Sequence, residues 1–145
     1  NYGEFKMVKN HGIQGFYLGN SKVADIDNDG KIDIILSGQI NNITASNGSG
    51  MIRIYRNISK KPGHIEFELH QEFSNKTGNI SGNFGRVNLV VGDYDKDGDV
   101  DFFATFNNSA DQKPIVGTNK GGKFYIRPLP FGHGSPCDKY YASQA

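Results

Sequence analysis

One nine-residue pattern occurs twice in this chain, and the rest of the sequence has to accommodate it. Asp25-Ile26-Asp27-Asn28-Asp29-Gly30-Lys31-Ile32-Asp33 and Asp93-Tyr94-Asp95-Lys96-Asp97-Gly98-Asp99-Val100-Asp101 both read D-x-D-x-D-G-x-x-D, with carboxylates at positions 1, 3, 5 and 9 and glycine at position 6. Two carboxylates held at about 5 Å in a medium of effective dielectric near 20 repel by roughly 3 kcal/mol. A loop of this kind therefore either spreads into water or wraps a cation. The cation that takes about six to eight oxygens at flexible geometry is Ca²⁺ rather than Mg²⁺. Glycine at position 6 suits a sharp turn with positive φ.

A solvated acidic turn is the competing reading, because Asp-Gly by itself marks many hairpins. Identical residues at all five key positions in two copies argue against it. An EF-hand is excluded by position 12, which should be a bidentate Glu but is Leu36 in one copy and Ala104 in the other. The residues after each loop, Ile32 to Leu36 and Val100 to Phe106, are β-type runs. The sequence thus predicts two strand-loop-strand calcium sites. By analogy of spacing, the side-chain ligands are Asp25, Asp27, Asp29 and Asp33 in loop 1, and Asp93, Asp95, Asp97 and Asp101 in loop 2. Lys31 and Asp99, at position 7, offer backbone carbonyls.

The loops begin 68 residues apart, and the same shift aligns Phe16 with Phe84, Asn20 with Asn88 and Val23 with Val91. The unit of repetition is therefore larger than the loop. Strands are expected at 4–8, 21–25, 32–37, 51–56 and 64–69 from apolar alternation, and again near 87–92, 100–106, 114–118 and 123–127. Asn41 to Gly50 reads as a long hairpin loop, Lys60-Lys61-Pro62-Gly63 as a turn, and Gln71 to Gly82 as a polar connection. Nothing shows a sustained 3.6-residue period. The fold class is all-β, with each unit a four-stranded antiparallel sheet whose acid loop joins its first strand to its second. Sheets of this kind, repeated at about sixty residues, are the blades of a β-propeller.

The run Phe84-Gly85, then Val90-Val91-Gly92-Asp93 and the second acid loop, resembles the FG-GAP repeat of integrin alpha chains and the related VCBS-type repeats. Gly15-Phe16, Val23-Ala24-Asp25 and Met51 to Asn57 match the same pattern more loosely, and no Gly-Ala-Pro triplet follows either loop. The resemblance implies a Ca²⁺-binding β-propeller of six to eight blades. On this reading residues 1–15 end a preceding blade, 16–82 and 83–130 are two blades, and 131–145 begin a third, where Phe131-Gly132 parallels Phe84-Gly85. The chain is then expected to be a segment of a longer propeller, and the rest of that propeller is its first expected partner.

Composition bears on location and partners. The two loops hold nine of the fifteen acids, leaving six acids against sixteen Lys and Arg elsewhere. The bases form no run longer than Lys60-Lys61, so no nucleic-acid groove is indicated. No stretch approaches the roughly 18 apolar residues of a membrane span. Six N-x-S/T sequons begin at Asn42, Asn47, Asn57, Asn75, Asn79 and Asn107, where 15 Asn and 14 Ser plus Thr give about one or two by chance. They point to glycosylation and to an extracellular, cell-surface or secretory-lumen location; an Asn-rich bacterial product is the alternative. Cys137 has no partner within the chain. His11, His64, His70 and His133 lack zinc-ligand spacing, and neither a nucleophile elbow nor a phosphate loop is present. Two functions remain open. One is a non-enzymatic adhesion or assembly module that binds other extracellular proteins. The other is a glycan-binding propeller, or an accessory domain of a secreted polysaccharide-active enzyme.

Overall fold

The computed structural model describes residues 7–39, 50–74, 86–107 and 113–129, and none of these is helical. Among these described residues eight strands form two four-stranded antiparallel sheets. Blade 1 holds β1 (Tyr17–Ala24), β2 (Asp33–Gln39), β3 (Gly50–Asn57) and β4 (Phe67–Ser74) in that order. Blade 2 holds β5 (Arg86–Gly92), β6 (Asp101–Asn107), β7 (Ile115–Lys120) and β8 (Lys123–Pro128). The acid loops join β1 to β2 and β5 to β6, as the sequence predicts.

Two strand expectations differ from what is found. Alternation across 64–69 predicts a strand there, whereas β4 begins at Phe67 and runs on to Ser74. The polar Gln71-Glu72 pair disguises its second half, yet both residues are engaged: Glu72 accepts from Arg53, and Gln71 exchanges hydrogen bonds with the backbone of Phe124. A strand at 4–8 is not seen at Met7 and Val8, and 4–6 lie outside the described residues, as do the 40–49 loop and the proposed third blade at 131–145. Segment 11–16 instead crosses blade 1, held by His11 O accepting from Phe67 N and by Tyr55 Oη accepting from Gln14 N.

Cross-strand partners share a face of the sheet, so the register separates two faces on each blade. On one face of blade 1, here the front, Ile35 lies opposite Ile54, Ser37 opposite Ile52, and Ile52 opposite Phe73. The 68-residue shift equates Ile35 with Phe103, so Phe102 and Ala104 mark the opposite face of blade 2, its back, where Leu89 lies opposite Ala104, Ala104 opposite Ile115, and Phe102 opposite Gly117. These two faces pack together into one core of buried residues, which also takes in Ile26, Val87 and Phe124. Within it the Phe102 ring sits 5.4 Å from Phe124 and 6.2 Å from Phe73 of the other blade. Ser37 Oγ donates to Val87 O at 3.2 Å across the same seam. Front meets back, so the two blades stack in the same orientation.

Candidate metal-binding loops

Both loops fold on one hydrogen-bonded frame. The position-1 carboxylate accepts from the backbone of positions 5 and 6. Asp25 takes Asp29 N at 3.1 Å and Gly30 N at 2.8 Å; Asp93 takes Asp97 N at 3.2 Å and Gly98 N at 3.1 Å. The position-5 carboxylate accepts from position 7, Lys31 N in loop 1 and Asp99 N in loop 2, both at 2.9 Å. Two residues per loop take left-handed backbone. Gly30 and Gly98 do so as expected, with φ of 84° and 95°; Asn28 and Lys96, at position 4, follow at 58° and 62°.

The position-9 carboxylates turn inward. Asp33 and Asp101 are each 1% exposed. Asp33 accepts from Ile26 N at 3.0 Å and Asn57 N at 2.7 Å; Asp101 accepts from Tyr94 N at 3.0 Å and Asn119 N at 2.8 Å. Each therefore ties the loop to the end of the third strand of its own blade. Burial pushes the Asp33 carboxyl above its ordinary value, against the two backbone hydrogen bonds from Asn57 and Ile26.

The loops gather different subsets of their acids. In loop 1 carboxylate oxygens of Asp25, Asp27 and Asp29 lie within 4.8 Å of one another; in loop 2 the set is Asp93, Asp95 and Asp101. Asp33 and Asp97 stand outside these clusters. Asp27 carries an informative atom: its side chain is 8% exposed, one oxygen is paired with Arg56, and the other, Oδ1, is buried with no hydrogen-bond partner. A buried carboxylate oxygen left unpaired costs free energy, and beside two further carboxylates its natural complement is a hard cation. Asp29 is held below the usual carboxylate range by hydrogen bonds from the Lys31 side chain and backbone. Asp95 is pushed up by loss of hydration and by the charges of Asp97 and Asp101. A Ca²⁺ ion would supply the charge that both loops lack, and oxygen-only donors at this density suit it.

The sequence reading missed the asparagine at or next to the end of the third strand. Asn57 Nδ2 donates to Ile32 O, and Asn57 Oδ1 accepts from Ser59 N. Asn119 Nδ2 donates to Val100 O, and Asn119 Oδ1 accepts from Gly122 N. A shift of 68 aligns the loops but not these residues, which lie 62 apart because the second hairpin is shorter. Of the six sequons, Asn42, Asn47, Asn75 and Asn79 lie outside the described residues, Asn107 closes β6, and Asn57 has its amide engaged as above. Cys137 also lies outside them. Among the described residues no helix is long and apolar enough to cross a membrane.

A family model described as an FG-GAP-like repeat matches residues 25–104, just over half the chain, from Asp25 of loop 1 into β6. No curated protein and no solved structure gave a match.

Proposed function

From the premise that this chain belongs to the FG-GAP-like repeat family, we propose that it is a non-catalytic, calcium-stabilised segment of an extracellular β-propeller that serves protein adhesion or assembly. FG-GAP repeats are typically structural modules, and the two stacked four-stranded sheets have the form of two propeller blades. The observation that carries the calcium reading is Asp27, whose Oδ1 is buried without a partner and whose carboxylate clusters with those of Asp25 and Asp29. Asp25, Asp27 and Asp29 would hold one ion. Asp93, Asp95 and Asp101 would hold the other, with the position-7 carbonyls of Lys31 and Asp99 as further donors. The bound ion would neutralise carboxylates that otherwise repel, and so favour the folded hairpins by mass action. The six sequons support a secretory location. Longer-range partners are further blades of the same propeller, and other proteins or glycans at its surface.

The test is thermal unfolding of the 145-residue chain in chelator and in calcium. At a concentration about a hundred times the dissociation constant, each filled loop adds about 2.7 kcal/mol. Asp27→Ala and Asp95→Ala should each remove at least the contribution of one loop. Melting that is the same in chelator and in millimolar calcium refutes the reading.

A further inference from the structure

Loop 1 is not closed by its own blade alone. The turn between β7 and β8, Lys120-Gly121-Gly122-Lys123, lies over it. A Cβ built on Gly122 would stand 2.8 Å from Asp27 Cβ, and Gly122 takes a φ of 88°. Gly121 N donates to Asp99 Oδ2 at 2.8 Å, and Asp99 Oδ1 accepts from Asn28 Nδ2 at 2.9 Å. Asn119 Nδ2 donates to Ile26 O of loop 1 at 2.7 Å as well as to Val100 O of loop 2. The two loops and the turn thus form a closed circuit of contacts across the seam. Its consequence is visible in burial, since the Asp27 side chain is 8% exposed whereas its counterpart Asp95 is an exposed residue.

Resting on the calcium reading above, we propose that the two loops bind their cations as a coupled pair, with Asn28, Asp99 and the β7–β8 turn as the positioning link. In loop 2 five carboxylates lie within nine residues. A cation there draws Asp93, Asp95 and Asp101 together and fixes the backbone from Asp97 to Asp101. That fixes Asp99, which in turn holds Asn28 in loop 1 and Gly121 in the turn that covers Asp27. Loop 1 then loses less conformational freedom when it binds, and this is positive coupling by shared ordering. Coupling free energies of this kind change affinity by about 5- to 150-fold.

The experiment is calorimetric titration of the 145-residue chain with Ca²⁺, with circular dichroism confirming the fold of every variant. Asp95→Ala disables loop 2 and reports loop 1 alone. The expected result is about a tenfold loss of loop 1 affinity relative to the intact chain. Asn28→Gly keeps the left-handed backbone at that position and removes only the side-chain link. In its background Asp95→Ala should leave loop 1 affinity within about twofold. Asp99→Ala, which breaks the link from the other side, should behave in the same way. If Asp95→Ala leaves loop 1 affinity unchanged in the otherwise intact chain, calcium still binds but the coupling is refuted. If neither loop takes up Ca²⁺, both this inference and the calcium reading fall.

Discussion

Gly117→Ala tests the packing around Phe102, the blade 2 ring that also meets Phe73 of blade 1. Gly117 lies opposite Phe102 in the β6–β7 pair, and a Cβ placed on it would stand 2.2, 2.3 and 2.7 Å from three carbons of the Phe102 ring. Ordinary carbon contact is about 3.5–4.0 Å, so the ring would have to retreat by roughly 1.3 Å. It has little room to do so. Phe102 is 0% exposed and lies between Phe124 and Phe73, the latter belonging to the other blade. Overpacking of this kind costs about 1–3 kcal/mol, and a fully enclosed ring falls at the upper end. Replacing a strand glycine by alanine returns about 0.5–1 kcal/mol of backbone entropy. The net expectation is a loss of about 2 kcal/mol, measured by urea denaturation, or a fall in melting temperature of about 5–8 °C for a chain of this size. Phe102→Leu should relieve the clash, so the double variant should be more stable than the sum of the single effects by at least about 1 kcal/mol. A neutral Gly117→Ala, or strict additivity with Phe102→Leu, would mean that the ring does not cover Gly117.

The remaining expectations concern the buried acids and the sequons. Asp33→Asn and Asp101→Asn should each cost about 2–3 kcal/mol, because an amide nitrogen then faces a backbone N–H in place of a charged acceptor; effects that differ by more than about 1.5 kcal/mol would show that the two frames are not equivalent. Asp33 also carries a pH signature. Burial raises its folded value above 3.8, so the stability linked to its proton is full below the unfolded value and is lost as pH rises through the folded one. In chelator the stability gap between the wild-type chain and Asp33→Asn should therefore narrow as pH rises above 3.8; a widening gap contradicts the direction of the shift. Protein from its native source should lose mass on treatment with a peptide glycosidase, with Asn57 the least occupied sequon because its amide already donates to Ile32 O. A mass that does not change, equal to that of the bare chain, would point to the bacterial alternative.

The strand plan was legible wherever side chains alternate against a core. Met51 to Arg56 and Lys123 to Arg127 do so, and β3 and β8 fall within a residue or two of expectation. β4 was displaced because its hydrogen-bonding partners are polar: Arg53 and Gln71 do there what apolar pairs do elsewhere, and polarity reads as loop in a single sequence. The acid loops were legible as dense, regularly spaced carboxylates. What spacing does not carry is the division of labour inside them. Asp33 and Asp101 look like any other ligand position, yet burial and two backbone donors each make them the pins that hold loop to strand. Arg56, Asn119 and Gly122 bear on the loops through contacts 29, 93 and 95 residues apart in sequence, at a distance that no local motif records.

The pair uses the front of blade 1 and the back of blade 2, and among the described residues no further blade covers the other two faces. The unused faces carry apolar side chains, although the back of blade 1 also holds the Arg53–Glu72 ion pair. The second strands, Ile34-Ile35-Leu36 and Phe102-Phe103-Ala104, are continuous apolar runs, the pattern of strands buried on both sides. On the back of blade 1, Val23 is 60% and Leu69 44% exposed; on the front of blade 2, Val90 is 54% and Tyr125 53% exposed. Because front meets back, these two faces are related as the buried pair is, and a contact between copies would be head to tail and able to propagate. The isolated 145-residue chain should therefore self-associate as its concentration rises, as seen by sedimentation. Val90→Lys with Tyr125→Lys, two exposed positions on one face, should return it to monomer without loss of fold. A chain that stays monomeric at about 100 μM with both residues intact would mean that segment 11–16, which binds blade 1 through His11 and Gln14, already closes the back face against a neighbour.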